Sequence, residues 1–129
     1  MHENEISKKI IGAAIEVHRI LGPGLLESVY EEALCHELRL QEMKFVRQLY
    51  VPVPYKGIKL KTDLRLDLIV EDKVIVDNKA KTLVSRVEKA ALLTYLRLSD
   101  KRLGLIINFH EEVLRDGVDR VVNKLTEYI

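Results

Sequence analysis

Asp67 and Asp77, with nine residues between them, and Lys79 two positions further on are the residues of this chain best placed to do chemistry together. Leu64, Leu66, Leu68 and Val70 alternate with Arg65, Asp67 and Ile69, the period of a β-strand, and Val74 to Lys79 reads as its antiparallel return. If Glu71-Asp72-Lys73 is a three-residue loop, Val70 pairs with Val74 and Asp67 stands opposite Asp77. Asp67, Asp77 and Lys79 then share one face, while Leu66, Leu68, Val70, Val74 and Val76 share the other and form core. Carboxylates opposite one another have β-carbons about 4.5–5.5 Å apart and repel unless a cation lies between them. That cation is either a metal ion or Lys79. A surface hairpin, with the carboxylates bridged by Lys79 or Arg65 for solubility, satisfies the same pattern, and a loop one residue shorter would turn the two aspartates to opposite faces.

The elements that position this hairpin are legible on either side of it. Apolar residues from Ile6 to Leu21 recur at three and four, predicting a helix capped by Asn4 and ended by Gly22-Pro23-Gly24; a second follows from Leu25 to about Leu40. The two should pack as a helical hairpin. Lys44 to Tyr55 reads as an edge strand, because Pro52 and Pro54 lack N–H groups on one side, and Lys56-Gly57 turns it into a strand from Ile58 to Val70. Arg86 to Leu98 reads as a helix, Leu103 to Phe109 as a short buried strand, and about Val118 to Tyr128 as a last strand or helix. The order is ααβββαβ with a short final element and no internal repeat. It implies one α/β domain over residues 1–129, in which helices flank a small mixed sheet made of an antiparallel meander and a helical crossover.

Composition narrows the function classes. With 47% hydrophobic and 32% charged residues, the 129-residue chain has the balance of a globular domain able to bury a core. Cys35 is the only cysteine, so neither an intramolecular disulfide nor a four-cysteine zinc site can form, and a reducing compartment, the cytoplasm, is expected. The opening Met1-His2-Glu3-Asn4-Glu5 is acidic where a signal peptide would be basic, and no apolar run is long enough to span a bilayer. A net charge of +1 lacks the broad basic footprint of many nucleic-acid binders, so any such contact must be local. Lys79, Lys81, Arg86, Lys89, Arg97, Lys101 and Arg102 form the basic run that could supply it, although such runs are more often a solvated face.

Asp67, Asp77, Asn78 and Lys79 reproduce the D…(D/E)xK pattern, and Gly24-Leu25-Leu26-Glu27-Ser28-Val29-Tyr30 resembles the GxxExxY signature of a small bacterial and archaeal family placed in the PD-(D/E)xK nuclease superfamily. The resemblance runs from about Ile11 to Asn123 and includes Leu92-Leu93-Thr94-Tyr95-Leu96-Arg97-Leu98 and Leu105-Ile106-Ile107-Asn108-Phe109. It implies a restriction-endonuclease-like core and a metal-dependent nuclease acting on DNA. It further implies Glu27, Asp67 and Asp77 as catalytic carboxylates and ligands of Mg²⁺ or Mn²⁺, with Lys79 orienting or deprotonating the attacking water or holding the scissile phosphate. Oxygen donors suit these hard cations, which keep several waters. Two positions depart from the family: Asp77 where Glu is common, and Ala91 where a Gln is common on the following helix. A homodimer would let a core this small engage both strands.

A non-catalytic nuclease-fold domain that binds nucleic acid or protein is the competing function, favoured by the near-neutral charge and Ala91; a purely structural or oligomerising module is a third. Elsewhere, His18 and His110 read as structural, and Cys35 and His36, adjacent on a helix, face different directions. Gly22-Pro23-Gly24 serves as a helix stop or a phosphate-binding turn, and Tyr30 as core or as a hydrogen-bonding member of the site.

Overall fold

The computed structural model describes residues 1–126. Helix α1 (Glu3–Leu21) buries Ile6, Ile10, Ala13, Ala14 and Val17, the three-and-four stripe of its sequence. Its cap is His2 rather than Asn4: the His2 Nδ1 accepts the Asn4 N–H at 2.9 Å, and Asn4 already lies inside the helix. Helix α2 (Glu27–Leu40) begins two residues later than expected and buries Tyr30, Glu31, Leu34, Cys35 and Leu38. The helices pack on each other and on one face of the sheet.

The sheet is mixed and five-stranded, in the order β1 (Phe45–Val51), β4 (Leu64–Val70), β5 (Val74–Lys79), β6 (Leu103–Asn108), β7 (Val118–Val122). The first three strands form the antiparallel meander, and helix α3 (Arg86–Ser99) carries the chain to β6, parallel to β5. The last element is strand β7, antiparallel to β6 after a 3-10 turn at Leu114–Gly117; Tyr128 lies outside the described residues. The architecture is α/β with the restriction-endonuclease-like arrangement.

The strand expected over Ile58 to Val70 is two. Pairing of β1 with β4 ends at Val51↔Leu64, because Pro52 and Pro54 have no N–H to continue the ladder. The intervening chain folds on itself as a small ribbon of β2 (Pro54–Tyr55) and β3 (Ile58–Lys59), closed by the Leu60 N–H donating to the Val53 carbonyl at 2.9 Å.

Helices cover both faces, so the central strands are buried on both and read as nearly continuous apolar runs; β6 is buried from end to end. Leu68, Val70, Val74 and Val76 pack with α1 and α2, whereas Ile69, Ile75 and Ile106 pack with Leu92 and Leu96 of α3. Leu66, expected beside Leu68 and Val70, packs instead in the α3-side cluster. The change comes where the β1–β4 ladder skips the pair of Gln48 and Asp67 and Gln48 adopts φ 54°, an irregularity that re-aims side chains without altering register. Gly104 lets α3 sit close on the sheet: a Cβ there would stand 2.9 Å from a Leu92 methyl group.

Candidate active site

The turn at Glu71 and Asp72, both left-handed, sets Val70 opposite Val74, and the ladder continues through Ile69↔Ile75 to Leu68↔Val76. There the pairing of β4 with β5 stops. One step further the Asn78 N–H donates to the Asp67 carboxylate, at 3.2 Å, and β5 keeps its pairing with β6 through Lys79↔Asn108. The strands thus part where Asp67 and Asp77 stand, and the Asp67 side chain bridges the fork. Asn78, fully buried inside it, finds no hydrogen-bond partner for its side-chain amide among the described residues.

Glu27 enters from the first turn of α2. Gly24, at φ 100°, turns the chain into the helix, a conformation that favours glycine. Tyr30 fixes that turn: its hydroxyl donates to the Gly22 carbonyl at 2.6 Å and accepts the Leu25 N–H at 3.0 Å, while its ring stacks on Phe109 at 4.6 Å between centroids. Tyr30 is therefore both core and the anchor of the segment that carries Glu27. Tyr30→Phe leaves a carbonyl and an N–H without these partners and is expected to cost about 1–3 kcal/mol of stability. Thermal melts check this, and an unchanged melting temperature would show that the turn holds without the hydroxyl.

Glu27, Asp67, Asp77 and Lys79 line one pocket of about 250 Å³, walled by Arg65, Leu66, Ile75 and Val76 and closed on the α3 side by Leu92 and Tyr95. Lys79 Nζ lies 3.3 Å from Asp77 Oδ1. Burial pushes Asp67 up, and a hydrogen bond to Asp77 and the charges of Asp77 and Glu31 push it further, to about 7. Glu27 is also raised, by burial first and then by the charge of Asp67. Burial alone would lower Lys79, but the charge and hydrogen bond of Asp77 outweigh it and hold the ammonium above its usual range.

The pocket thus gathers more carboxylates than its cations neutralise, and the imbalance raises the proton affinity of Asp67. Oxygen donors short of positive charge fit a hard divalent cation. Among the described residues, no group of three His, Cys, Asp or Glu side chains stands ready-made around one metal position. The fit therefore rests on donor chemistry and charge, with carboxylate movement needed to close a shell.

Sequence reasoning missed several neighbours. Glu31, buried one turn after Glu27, pairs with Arg47 at 2.8 Å and accepts from Gln48 at 3.3 Å. Glu88 lies 4.0 Å from Lys79 Nζ and 2.6 Å from Lys81 Nζ. The Glu88 spacing from Ser85 signals a capping box, which the structure contains, but nothing in that motif ties it to the pocket. The basic run is no free patch: Lys79, Lys81, Lys89, Lys101 and Arg102 pair with Asp77, Glu88, Asp119, Asp72 and Glu3. His18 contacts the Glu111 carbonyl at 2.7 Å, and Cys35 is packed in the core.

The family model that matches the chain is described as the PD-(D/E)XK nuclease superfamily, over residues 4–121. No curated protein and no solved structure matches. No helix among the described residues is long and apolar enough to cross a membrane.

Proposed function

Since the chain belongs to the PD-(D/E)XK nuclease superfamily, whose nucleases generally use divalent metals, we propose that it is a metal-dependent nuclease that hydrolyses phosphodiester bonds of DNA, in a single domain over residues 1–129, and that it falls in the GxxExxY family. The single observation that carries this reading is the lining of one pocket by Glu27, Asp67, Asp77 and Lys79 at the fork between β4 and β5. A fold usually avoids juxtaposed carboxylates and an unpartnered buried amide; their concentration at this fork is the kind of local cost that functional sites carry.

In this reading Glu27, Asp67 and Asp77 would hold Mg²⁺ or Mn²⁺. Such an ion supplies Lewis-acid polarisation of the phosphate and a more acidic water. Lys79 carries an ammonium held above its usual range, so at neutral pH it has no lone pair with which to take a proton. It acts instead as a donor, orienting the attacking water or a phosphate oxygen. Leu66, Leu92 and Tyr95 shield the reacting centre on the α3 side. Asp77 is one methylene shorter than the Glu common in the family, and its Oδ1 lies 3.3 Å from Lys79 Nζ. A cytoplasmic location and a homodimer that presents two such sites to a duplex belong to the same proposal.

The test is cleavage of single-stranded DNA, double-stranded DNA and RNA with Mg²⁺, Mn²⁺ or chelator. The expected result is DNA cleavage that requires metal and stops with chelator. Ala91, and the lack of a ready-made three-carboxylate group among the described residues, favour a second reading: a nuclease-fold module that binds nucleic acid or protein without cutting. Binding to DNA with no cleavage under any metal condition would select it.

A further inference from the structure

Beside the pocket described above lies a second one of about 250 Å³, lined by Glu27, Lys79, Ala80, Lys81 and Glu88. It shares Glu27 and Lys79 with the first and extends it toward the start of α3. We propose that Lys81 is a substrate-phosphate contact held in reserve by Glu88: in the free protein the Glu88 carboxylate neutralises the Lys81 ammonium, and nucleic-acid binding transfers that ammonium to the phosphate next to the scissile one. The inference rests on the nuclease reading and adds to it a positioning residue and an internal competitor for the substrate.

The backbone of Lys81 is placed with unusual care for a residue beyond the end of a strand. Asn108, buried at the end of β6, donates through its side-chain amide to the Lys81 carbonyl at 2.7 Å and accepts the Lys81 N–H at 3.2 Å. The Phe109 N–H donates to the Lys79 carbonyl at 2.9 Å. These bonds tie the chain just past β5 to the end of β6, where it bends at Lys81, so the backbones of Lys79 and Lys81 are held as one stretch, at most about 7 Å apart. That is the scale of a step from one backbone phosphate to the next.

The side chains are less evenly held than the backbone. Lys81 is half exposed, and its ammonium meets Glu88 Oε1 at 2.6 Å. Glu88 has other partners: its Oε2 accepts the Ser85 N–H at 2.7 Å in the capping box, and Lys79 Nζ lies 4.0 Å from Oε1. When Lys81 swings away, Glu88 keeps the helix N-terminus and the Lys79 charge. The lysine is therefore the partner free to leave, and it loses only an exposed ion pair worth little in water. A phosphodiester accepts from an ammonium as a carboxylate does and carries the same single charge; the neighbouring phosphates and the counterions released when one is neutralised tip the exchange toward bound substrate.

The experiment measures binding of a fluorescent DNA oligonucleotide to the full chain in chelator, over a series of salt concentrations, for the wild type, Lys81→Ala, Lys81→Arg and Glu88→Gln. Gln still serves a capping box, so Glu88→Gln removes the competing charge and keeps the helix start. Lys81→Ala is expected to weaken binding about tenfold at low salt and to reduce the salt slope by about one, the signature of one lost phosphate contact. Lys81→Arg should restore both, and Glu88→Gln should bind tighter than the wild type by a factor of a few. Equal affinity and equal slope for the wild type and Lys81→Ala would overturn this inference and leave the nuclease reading standing. Weaker binding by Glu88→Gln would overturn the competitor role, and a wild type that binds no DNA in chelator would overturn this inference alone, the nuclease reading being decided by cleavage with metal.

Discussion

Asp77→Asn is expected to abolish hydrolysis and, in the same stroke, the stabilisation of the fold by divalent metal. Asp67, Asp77 and Glu27 crowd one pocket, and two of them are raised: Asp67 by burial and by Asp77, Glu27 by burial and by the charge of Asp67. A cation that binds only the native state adds stability as RT ln(1 + [L]/Kd), about 2.7 kcal/mol at a hundredfold excess over Kd, so millimolar Mg²⁺ or Mn²⁺ should raise the melting temperature of the wild type. Asn keeps the size of Asp77 and one oxygen but loses the charge. Metal affinity should therefore collapse, while the metal-free variant stays as stable as the wild type or gains from relieved repulsion against Asp67. Turnover should fall at least about a hundredfold, since even outer-shell partners of metal ligands typically cost 10–100-fold. Lys79→Ala separates the two effects. An ammonium is no ligand, and its removal unpairs Asp77 rather than blocking it, so the metal-induced rise should persist while turnover drops about 10²–10³-fold with the lost donor. Melts of the three proteins with and without metal, beside cleavage assays, decide the point: a wild-type melting temperature indifferent to millimolar metal would count heavily against the carboxylates as ligands.

The parts of this site that sequence could reach are those set by short-range rules. Period-two alternation and the reversal at Glu71-Asp72-Lys73 place Asp67 and Asp77 at one level of the hairpin, and the described register runs from Val70↔Val74 to Leu68↔Val76 as that loop requires. Alternation also fails there for a local reason: it assigns Leu66 to the face of Leu68, but the backbone irregularity at Gln48 and Asp67 sends Leu66 to the α3 side. Residues joined through tertiary packing were not legible. Glu31 looks like a solvated helix residue until β1 brings Arg47 and Gln48 to it. Glu88 reads as a cap until Lys79 and Lys81 arrive from the end of β5. Glu27 itself carries no bottom-up signal, since one carboxylate in the first turn of a helix is what the helix dipole alone would favour. Its motif becomes physical only through Tyr30, whose hydroxyl ties down the turn ahead of it. The basic run misleads in the other direction, because Lys89, Lys101 and Arg102 are already matched by carboxylates distant in sequence.

Asp67 should contribute a loss of stability to the metal-free protein as pH rises from about 4 to about 7, and bound metal should reverse that contribution. Asp67 is raised from 3.8 to about 7 by burial, by its hydrogen bond to Asp77 and by the surrounding charges. Below pH 4 the carboxyl is protonated in both folded and unfolded chains and contributes no slope. Between 4 and 7 the unfolded chain has released the proton and the folded chain keeps it, so stability falls with each pH unit, and above 7 the full penalty remains. One group shifted this far contributes about 2–4 kcal/mol over the window. Glu3 and Glu88 are lowered and act with the opposite sign, their stabilisation being lost as pH falls, so the measured quantity is the difference between the wild type and Asp67→Asn. Asn cannot titrate, and the variant should overtake the wild type as pH climbs through the window. Saturating metal changes the balance, because a carboxylate must shed its proton to bind a cation. Metal affinity should then rise steeply with pH up to about 7 and level off above it, with proton release visible as a buffer-dependent heat in calorimetry. An Asp67→Asn protein with the same pH slope as the wild type would place the titrating group elsewhere, and metal affinity flat between pH 5 and 8 would remove Asp67 from the coordination shell.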